Sequence, residues 1–351
     1  MKFVVELPPE TVDKIKKIIG QRQYRSVQDF LYAAAENQLN MEAHPTEILD
    51  VIDRQTEREA IEGSTGISSS GRTSRKRIES LTTTLHYLSS PNQAKVHTTT
   101  PPDSDQVMKE IPGLCNRLLP VKITTRVLAK MLEGDGSTVP LASLQENAAS
   151  SARDIGKQLS RRERDLGRPR SEMIAIGLPT KRDEFKAKAR FKAHFVGYVS
   201  KRRIEGAPAT LRFINMIKDQ DGKVTVGLTA AGLEFANKLN PVLDRDDFAA
   251  SLSEEERTFL IEHIATELPH EAQLMRTVLK TIKGGGNDPG SLDKELRKLK
   301  PEFKEAEIST LRSGVLSRIA ELKLLGRKRE GLSVRYEVTA EGEQFLKEVK
   351  P

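Results

Sequence analysis

The chain contains no tryptophan, a single cysteine (Cys115) and few aromatic residues, 5% of its 351 positions. Without aromatic platforms it is poorly equipped to stack unpaired bases, which argues against single-stranded nucleic acid or RNA loops as the ligand. One cysteine excludes an intrachain disulfide and fits a reducing compartment, most simply the cytoplasm. No apolar run approaches bilayer length and the first residues lack a secretory apolar core, so no membrane association is expected. The six histidines (His44, His86, His97, His194, His263 and His270) have no metal-ligand spacing with one another or with Cys115. Gly284-Gly285-Gly286 lacks the Lys-Ser or Lys-Thr that completes a phosphate-cradling loop, and no nucleophile–base arrangement stands out. The expectation is a protein that is not an enzyme, without metal or cofactor.

What is abundant is charge. Asp, Glu, Lys and Arg make up 30% of the chain against 37% hydrophobic residues, and the net charge is +7. That balance suits a mainly α architecture with small β elements and polar connections. Charge is also unevenly spread. Between Arg153 and Arg203 there are sixteen Lys and Arg against six Asp and Glu, a local excess of +10, so the remainder is net acidic. Arg153, Lys157, Arg161 and Arg164 recur at three- and four-residue steps, which places them along one helix face. Such a stripe suits a run of phosphates, with Arg162 beside it and Arg168-Pro169-Arg170 beyond its end directed at a narrow minor groove. A solvated, ion-paired face is the alternative, because Asp154 and Glu163 are interleaved.

The first forty residues read as a short strand and two helices. In Lys2-Phe3-Val4-Val5-Glu6-Leu7, Phe3, Val5 and Leu7 fall on one face and Lys2, Val4 and Glu6 on the other. Pro8-Pro9 stops the strand, and Val12, Ile15, Ile18 and Ile19 follow at helical spacing. Ser26 and Asp29 open a second helix. One strand with two helices leaves its edges and apolar face uncovered, which a second copy remedies. Val5-x-Leu7-Pro8-x-Glu10-Thr11 and Tyr24-x-Ser26-x-x-Asp29-Phe30 resemble the ribbon-helix-helix family. The resemblance implies a homodimer whose ribbon enters the major groove through Lys2, Val4 and Glu6, with Ser26 and Val27 at a phosphate. Valine and glutamate depart from the usual base-reading residue types, so a purely dimerising ribbon is the alternative.

Residues 41–111 read as linker. Within them, 46–61 have the pattern of one amphipathic helix through Ile48, Leu49, Val51, Ile52 and Ile61, and the stretch from Gly63 to Gly71 has too little apolar content to fold. Thr98 to Ser104 is a second linker signal.

The remainder carries a repeat. Val226-Gly227-Leu228-Thr229-Ala230-Ala231-Gly232-Leu233-Glu234-Phe235 aligns with Tyr336-Glu337-Val338-Thr339-Ala340-Glu341-Gly342-Glu343-Gln344-Phe345. In each, a β-rich run ends at a threonine suited to cap the next helix. This divides the body into 112–245 and 246–351. Over Ser253 to Val349, Ser317-Arg318-Ile319-x-x-Leu322-x-x-Leu325-Gly326 followed by Tyr336-x-Val338-Thr339-x-x-Gly342 resembles the winged helix-turn-helix domains of MarR- and PadR-like regulators. The resemblance implies that Arg312 and Arg318 lie on or beside a groove helix and that Lys328, Arg329 and Arg335 form a wing. The first copy, with helices expected over 124–132, 141–159 and 185–199 and strands over 211–217 and 224–228, would be a basic domain of the same kind. The expected whole is a homodimeric protein that binds double-stranded DNA, a transcription regulator. The alternative is a DNA-tethering or scaffold subunit whose C-terminal winged helix docks a protein partner.

Overall fold

The computed structural model of the protein describes Leu88 and residues 96–349, apart from residues 135, 170–171, 182, 201–202 and 331–332. The expected N-terminal ribbon with Lys2, Val4, Glu6 and Ser26, the helix over 46–61, the glycine–serine linker and Arg170 lie outside the described residues. Helix accounts for about 56% of residues 96–349, with small antiparallel sheets, so the mainly α expectation holds. Among the described residues no helix is long and apolar enough to cross a membrane.

Helix α1 (Leu119–Met131) is the centre of the packing. Pro120 suits its first turn, and eleven of its thirteen residues are buried. Its buried residues, Lys122 and Arg126 among them, point to nearly every side, so the helix is enclosed by the rest of the fold. Strand β1 (Val139–Pro140) leads into α2 (Leu141–Asp165), whose buried face is Leu141, Leu144, Ala148, Ala152, Ile155 and Leu159. Helix α3 (Glu184–Phe191) runs into a π turn at Lys192–Val196, followed by the hairpin β2 (Tyr198–Ser200) and β3 (Arg203–Glu205). The short α4 (Ala207–Thr210) precedes β4 (Ile214–Lys218) and β5 (Val224–Leu228), which form a three-stranded sheet in the order β1-β5-β4. Helices α5 (Ala230–Asn237) and α6 (Pro241–Asp244) close this repeat.

The second repeat begins with α7 (Glu254–Glu267), opened by a capping box of Ser253 and Glu256. Then come α8 (Pro269–Lys283), α9 (Pro289–Leu299), α10 (Glu305–Glu321), the hairpin β6 (Leu325–Glu330) and β7 (Ser333–Val338), and α11 (Ala340–Glu348).

The repeat seen in the sequence is a repeated latch. Thr229 Oγ1 accepts from Gly232 N at 3.1 Å and donates to Arg212 O at 2.7 Å. Thr339 Oγ1 accepts from Gly342 N at 3.1 Å and donates to Lys323 O at 2.7 Å. Arg212 and Lys323 both have positive φ, 57° and 61°. A Cβ on either glycine would overlap the carbonyl of the residue just before a strand, Phe213 or Leu324. The threonine thus caps one helix and ties it to the strand before the hairpin, and only glycine lets the helix approach so closely.

The two repeats do not separate at residue 246. Phe213 and Phe235 of the first stack with Phe259 and His263 of α7 at centroid distances of 5.0–6.1 Å. His263 Nε2 is bonded to Leu211 O at 2.8 Å. The stretch expected as linker over 98–104, and the chain that follows it, form an arm across both repeats. Thr99 N donates to Leu228 O at 2.7 Å, Ile111 N to Glu271 Oε2 at 3.1 Å and Leu118 N to Glu321 Oε2 at 2.7 Å. Where the arm crosses α10, Gly113 faces Gly314, backbone against backbone. Sequence periodicity cannot register such an arm, because its bonds are long-range and its residues alternate with no fixed step.

Candidate nucleic-acid interface

The basic stripe on α2 does not survive as a unit. The segment after the helix folds back across its middle and covers Arg153, which is buried with 6% of its surface exposed. Its Nη1 donates to Pro179 O at 2.9 Å and Lys181 O at 3.2 Å, and its Nε pairs with Glu184 at 2.9 Å. Arg153 is therefore an internal strut and is removed from the expected phosphate contacts. Lys157 is half-buried near Asp154 and Glu184.

The C-terminal end of α2 is different. Arg161 and Arg164 are exposed, and neither has an acidic partner among the described residues; Arg164 Nε donates to Ser160 O at 3.1 Å. Beside them Arg162 lies 3.9 Å over the Phe248 ring and 3.6 Å from Asp246. Arg168, expected to enter a minor groove, is instead tied down: Nη1 pairs with Glu163 at 3.3 Å and Nη2 donates to Phe248 O at 2.8 Å. Glu163 is fully buried and also accepts from Ile174 N at 2.5 Å and Ala175 N at 3.3 Å. This carboxylate holds the turn after the helix, so Arg161 and Arg164 project from a fixed support. Cations in the last turn also face the negative end of the helix dipole.

The excess of +10 counted along residues 153–203 is reduced in space by acids from outside that stretch. Glu146 pairs with Lys192 at 2.5 Å and Lys188 at 3.6 Å, and Asp246 with Arg162. The hydrogen bond from Lys192 holds the Glu146 carboxyl below its ordinary range, with the charge of Lys188 adding to it.

In the second repeat the two expected groove residues are both engaged within the protein, Arg318 buried and Arg312 half-buried. Arg318 is fully buried: its Nε and Nη2 grip Glu271 Oε1 at 3.0 and 2.7 Å, and its Nη1 donates to Cys115 O at 2.8 Å. It holds the crossing arm and is unavailable to a base. Arg312 is tied to Asp293 at 2.5 Å and to Pro289 O at 3.2 Å, joining α10 to α9. On the hairpin, Arg327, Lys328 and Arg335 are exposed, and Lys328 pairs with Glu337 at 2.9 Å with both partners more than half exposed. So exposed a pair is weak and yields readily to a phosphate. The Arg329 side chain lies outside the described residues.

Two buried ion pairs on α1 went unread in the sequence. Lys122 pairs with Glu256 at 2.8 Å and donates to Phe235 O and to Lys238 O, the latter at 2.7 Å. Arg126 pairs with Asp244 at 2.8 Å and donates to the carbonyls of Ala236, Lys238 and Leu88. Together they satisfy the orphan carbonyls at the end of α5. Burial pushes the Lys122 ammonium down to about 8 despite the opposing pull of Glu256. The available signal was the Lys122-x-x-x-Arg126 step inside an otherwise apolar helix, where a charge implies a buried partner.

No protein-family model, curated protein or solved structure matches this chain.

Proposed function

We propose that the protein is a homodimeric DNA-binding protein, a transcription regulator, paired through its N-terminal ribbon and holding DNA with tandem winged-helix repeats. The observation that carries this reading is the pair of outward basic groups on a repeated helix–hairpin–helix frame. Arg161 and Arg164 stand at the end of α2, and Arg327, Lys328 and Arg335 on the β6–β7 hairpin. The sheet order β1-β5-β4 in the first repeat supports the winged-helix description. Fluorescence anisotropy with duplex DNA tests the proposal. Five phosphate contacts per protomer, ten for the dimer, correspond to a slope of roughly −9 in log K against log salt. Absence of binding to any duplex at low salt refutes it.

A second reading has its own observation. Arg312 and Arg318 are the only basic residues of α10, and both are engaged internally, which leaves that helix Glu305, Glu307 and Ser313 rather than cations on its exposed side. This favours a scaffold in which the second repeat docks protein while α2 supplies the DNA contact. Reversing charge on the hairpin separates the two: a regulator using both outposts loses DNA affinity, whereas the scaffold keeps it.

A further inference from the structure

The two repeats differ at one edge. In the first, the outer edge of β5 is covered: Val226 pairs with Val139 of β1, and Leu228 O accepts from both Thr99 N at 2.7 Å and Thr99 Oγ1 at 3.2 Å. The covering segment lies so close that a Cβ on Gly227 would overlap Thr99 Cγ2. Aligning the latches puts Tyr336, Glu337 and Val338 of β7 where Val226, Gly227 and Leu228 stand in β5. The register of β7 against β6, with Thr339 N bonded to Leu324 O, turns the peptide groups of Tyr336 and Val338 away from β6. Only a side chain meets them: Tyr336 N donates to Asn287 Oδ1 at 3.0 Å. Among the described residues neither Tyr336 O nor Val338 O accepts a hydrogen bond. Beside them lies a groove of about 370 Å³ lined by Ile282, Lys283, Asn287, Tyr336, Val338 and Glu343.

We infer that this groove is a docking slot for an extended segment of a partner protein, which adds to the edge of β7 as the chain at Thr99 does to the edge of β5. The occupant is specified by its counterpart. It is a short extended stretch with a threonine, or another small β-branched residue, whose N–H reaches Val338 O as Thr99 N reaches Leu228 O. Main-chain bonds supply the affinity and the small side chain the fit. An open strand edge beside a preformed groove is a template that proteins ordinarily blunt, and here it carries neither proline nor a bulge. The inference gives the second repeat a partner chemistry and is independent of DNA binding.

The test uses the isotope-labelled full-length chain and a synthetic peptide with the sequence of residues 96–101. Saturable shifts at the Tyr336 and Val338 amides are expected at millimolar peptide. The same peptide N-methylated at the position of Thr99 lacks the donor and should bind roughly tenfold more weakly. Absence of shifts, or equal shifts with the N-methylated peptide, overturns the inference. Shifts at these amides that follow protein concentration without peptide assign the edge to a second copy and also overturn it.

Discussion

Replacing Arg318 with methionine distinguishes an internal strut from a base-reading side chain. The substitution keeps length and apolar stem but removes the guanidinium. Glu271, fully buried, then loses both charge-assisted bonds and keeps only the Ile111 N–H at 3.1 Å. The carbonyl of Cys115 loses its 2.8 Å donor at the same time. Removing one member of a buried pair costs about 3–5 kcal/mol, because an uncompensated charge stays behind. For a cooperative body of this size each kcal/mol is worth roughly 2–4 °C in Tm, so a fall of about 10 °C is expected by calorimetry or circular dichroism. Arg318→Met/Glu271→Gln removes both charges, and the double variant should be more stable than the sum of the single losses by roughly 1–3 kcal/mol. A Tm within about 1 °C of the parent for Arg318→Met, with DNA affinity lost, would refute the placement and restore Arg318 to the groove; surface substitutions usually stay within about 0.5 kcal/mol.

Further outcomes follow from the same geometry. Arg161→Glu/Arg164→Glu should weaken DNA binding at least tenfold with Tm unchanged, whereas Arg153→Glu should unfold part of the protein before any binding is measured; anisotropy beside thermal melts reads both. Burial pushes the Cys115 thiol up to about 12 from an ordinary value of 9.0. Above pH 9 the unfolded chain therefore releases a proton that the folded chain retains, and stability falls by up to about 1.4 kcal/mol per pH unit, with no contribution below pH 9. Urea unfolding from pH 8 to 11 should show that slope as the difference between parent and Cys115→Ala, which cancels the opposite trend from Lys122. Gly314→Ala would place a Cβ onto the Gly113 carbonyl and lift the arm from α10; its Tm should drop while the charge-reversed α2 variant keeps its own.

The parts of this fold that sequence discloses are those set by local chemistry. The Thr-Ala-x-Gly-x-x-Phe endings were legible because a cap, a close approach and an inward phenylalanine sit at fixed offsets. Helix α2 was legible because Leu141, Leu144, Ala148, Ala152, Ile155 and Leu159 repeat on one face. The expected strands over 211–217 and 224–228 appear as Ile214–Lys218 and Val224–Leu228. The site was far less legible. Periodicity placed Arg153, Lys157, Arg161 and Arg164 on one face correctly, but it carries no information on what crosses that face. The residues that cover Arg153 come from positions 179–184, and those that hold Arg318 come from 112, 115 and 271. A charged side chain looks the same in sequence whether its partner is water, phosphate or a buried carboxylate. Fold was read from spacing along the chain, whereas exposure depends on contacts between distant positions.

The buried ion pairs have a further rationale in the repeat itself. Two units that share a latch offer a helix two places with the same cap and close approach, and hydrophobic burial, being non-directional, distinguishes poorly between them. An ionic contact discriminates, because a misplaced docking leaves a charge without its mate at a cost of several kcal/mol. Lys122–Glu256 binds α1 of the first repeat to the start of α7 of the second, and Arg318–Glu271 joins α10 to α8 within the second repeat while holding the arm there through Cys115 O and Ile111 N. On this reasoning Arg318→Met/Glu271→Leu should approach the parent in Tm while losing uniqueness, with more than one amide resonance for Gly113 or Gly314 in a heteronuclear spectrum. A single sharp set in that variant would show that shape alone aligns the repeats, and the pair would then owe its place to anchoring the arm.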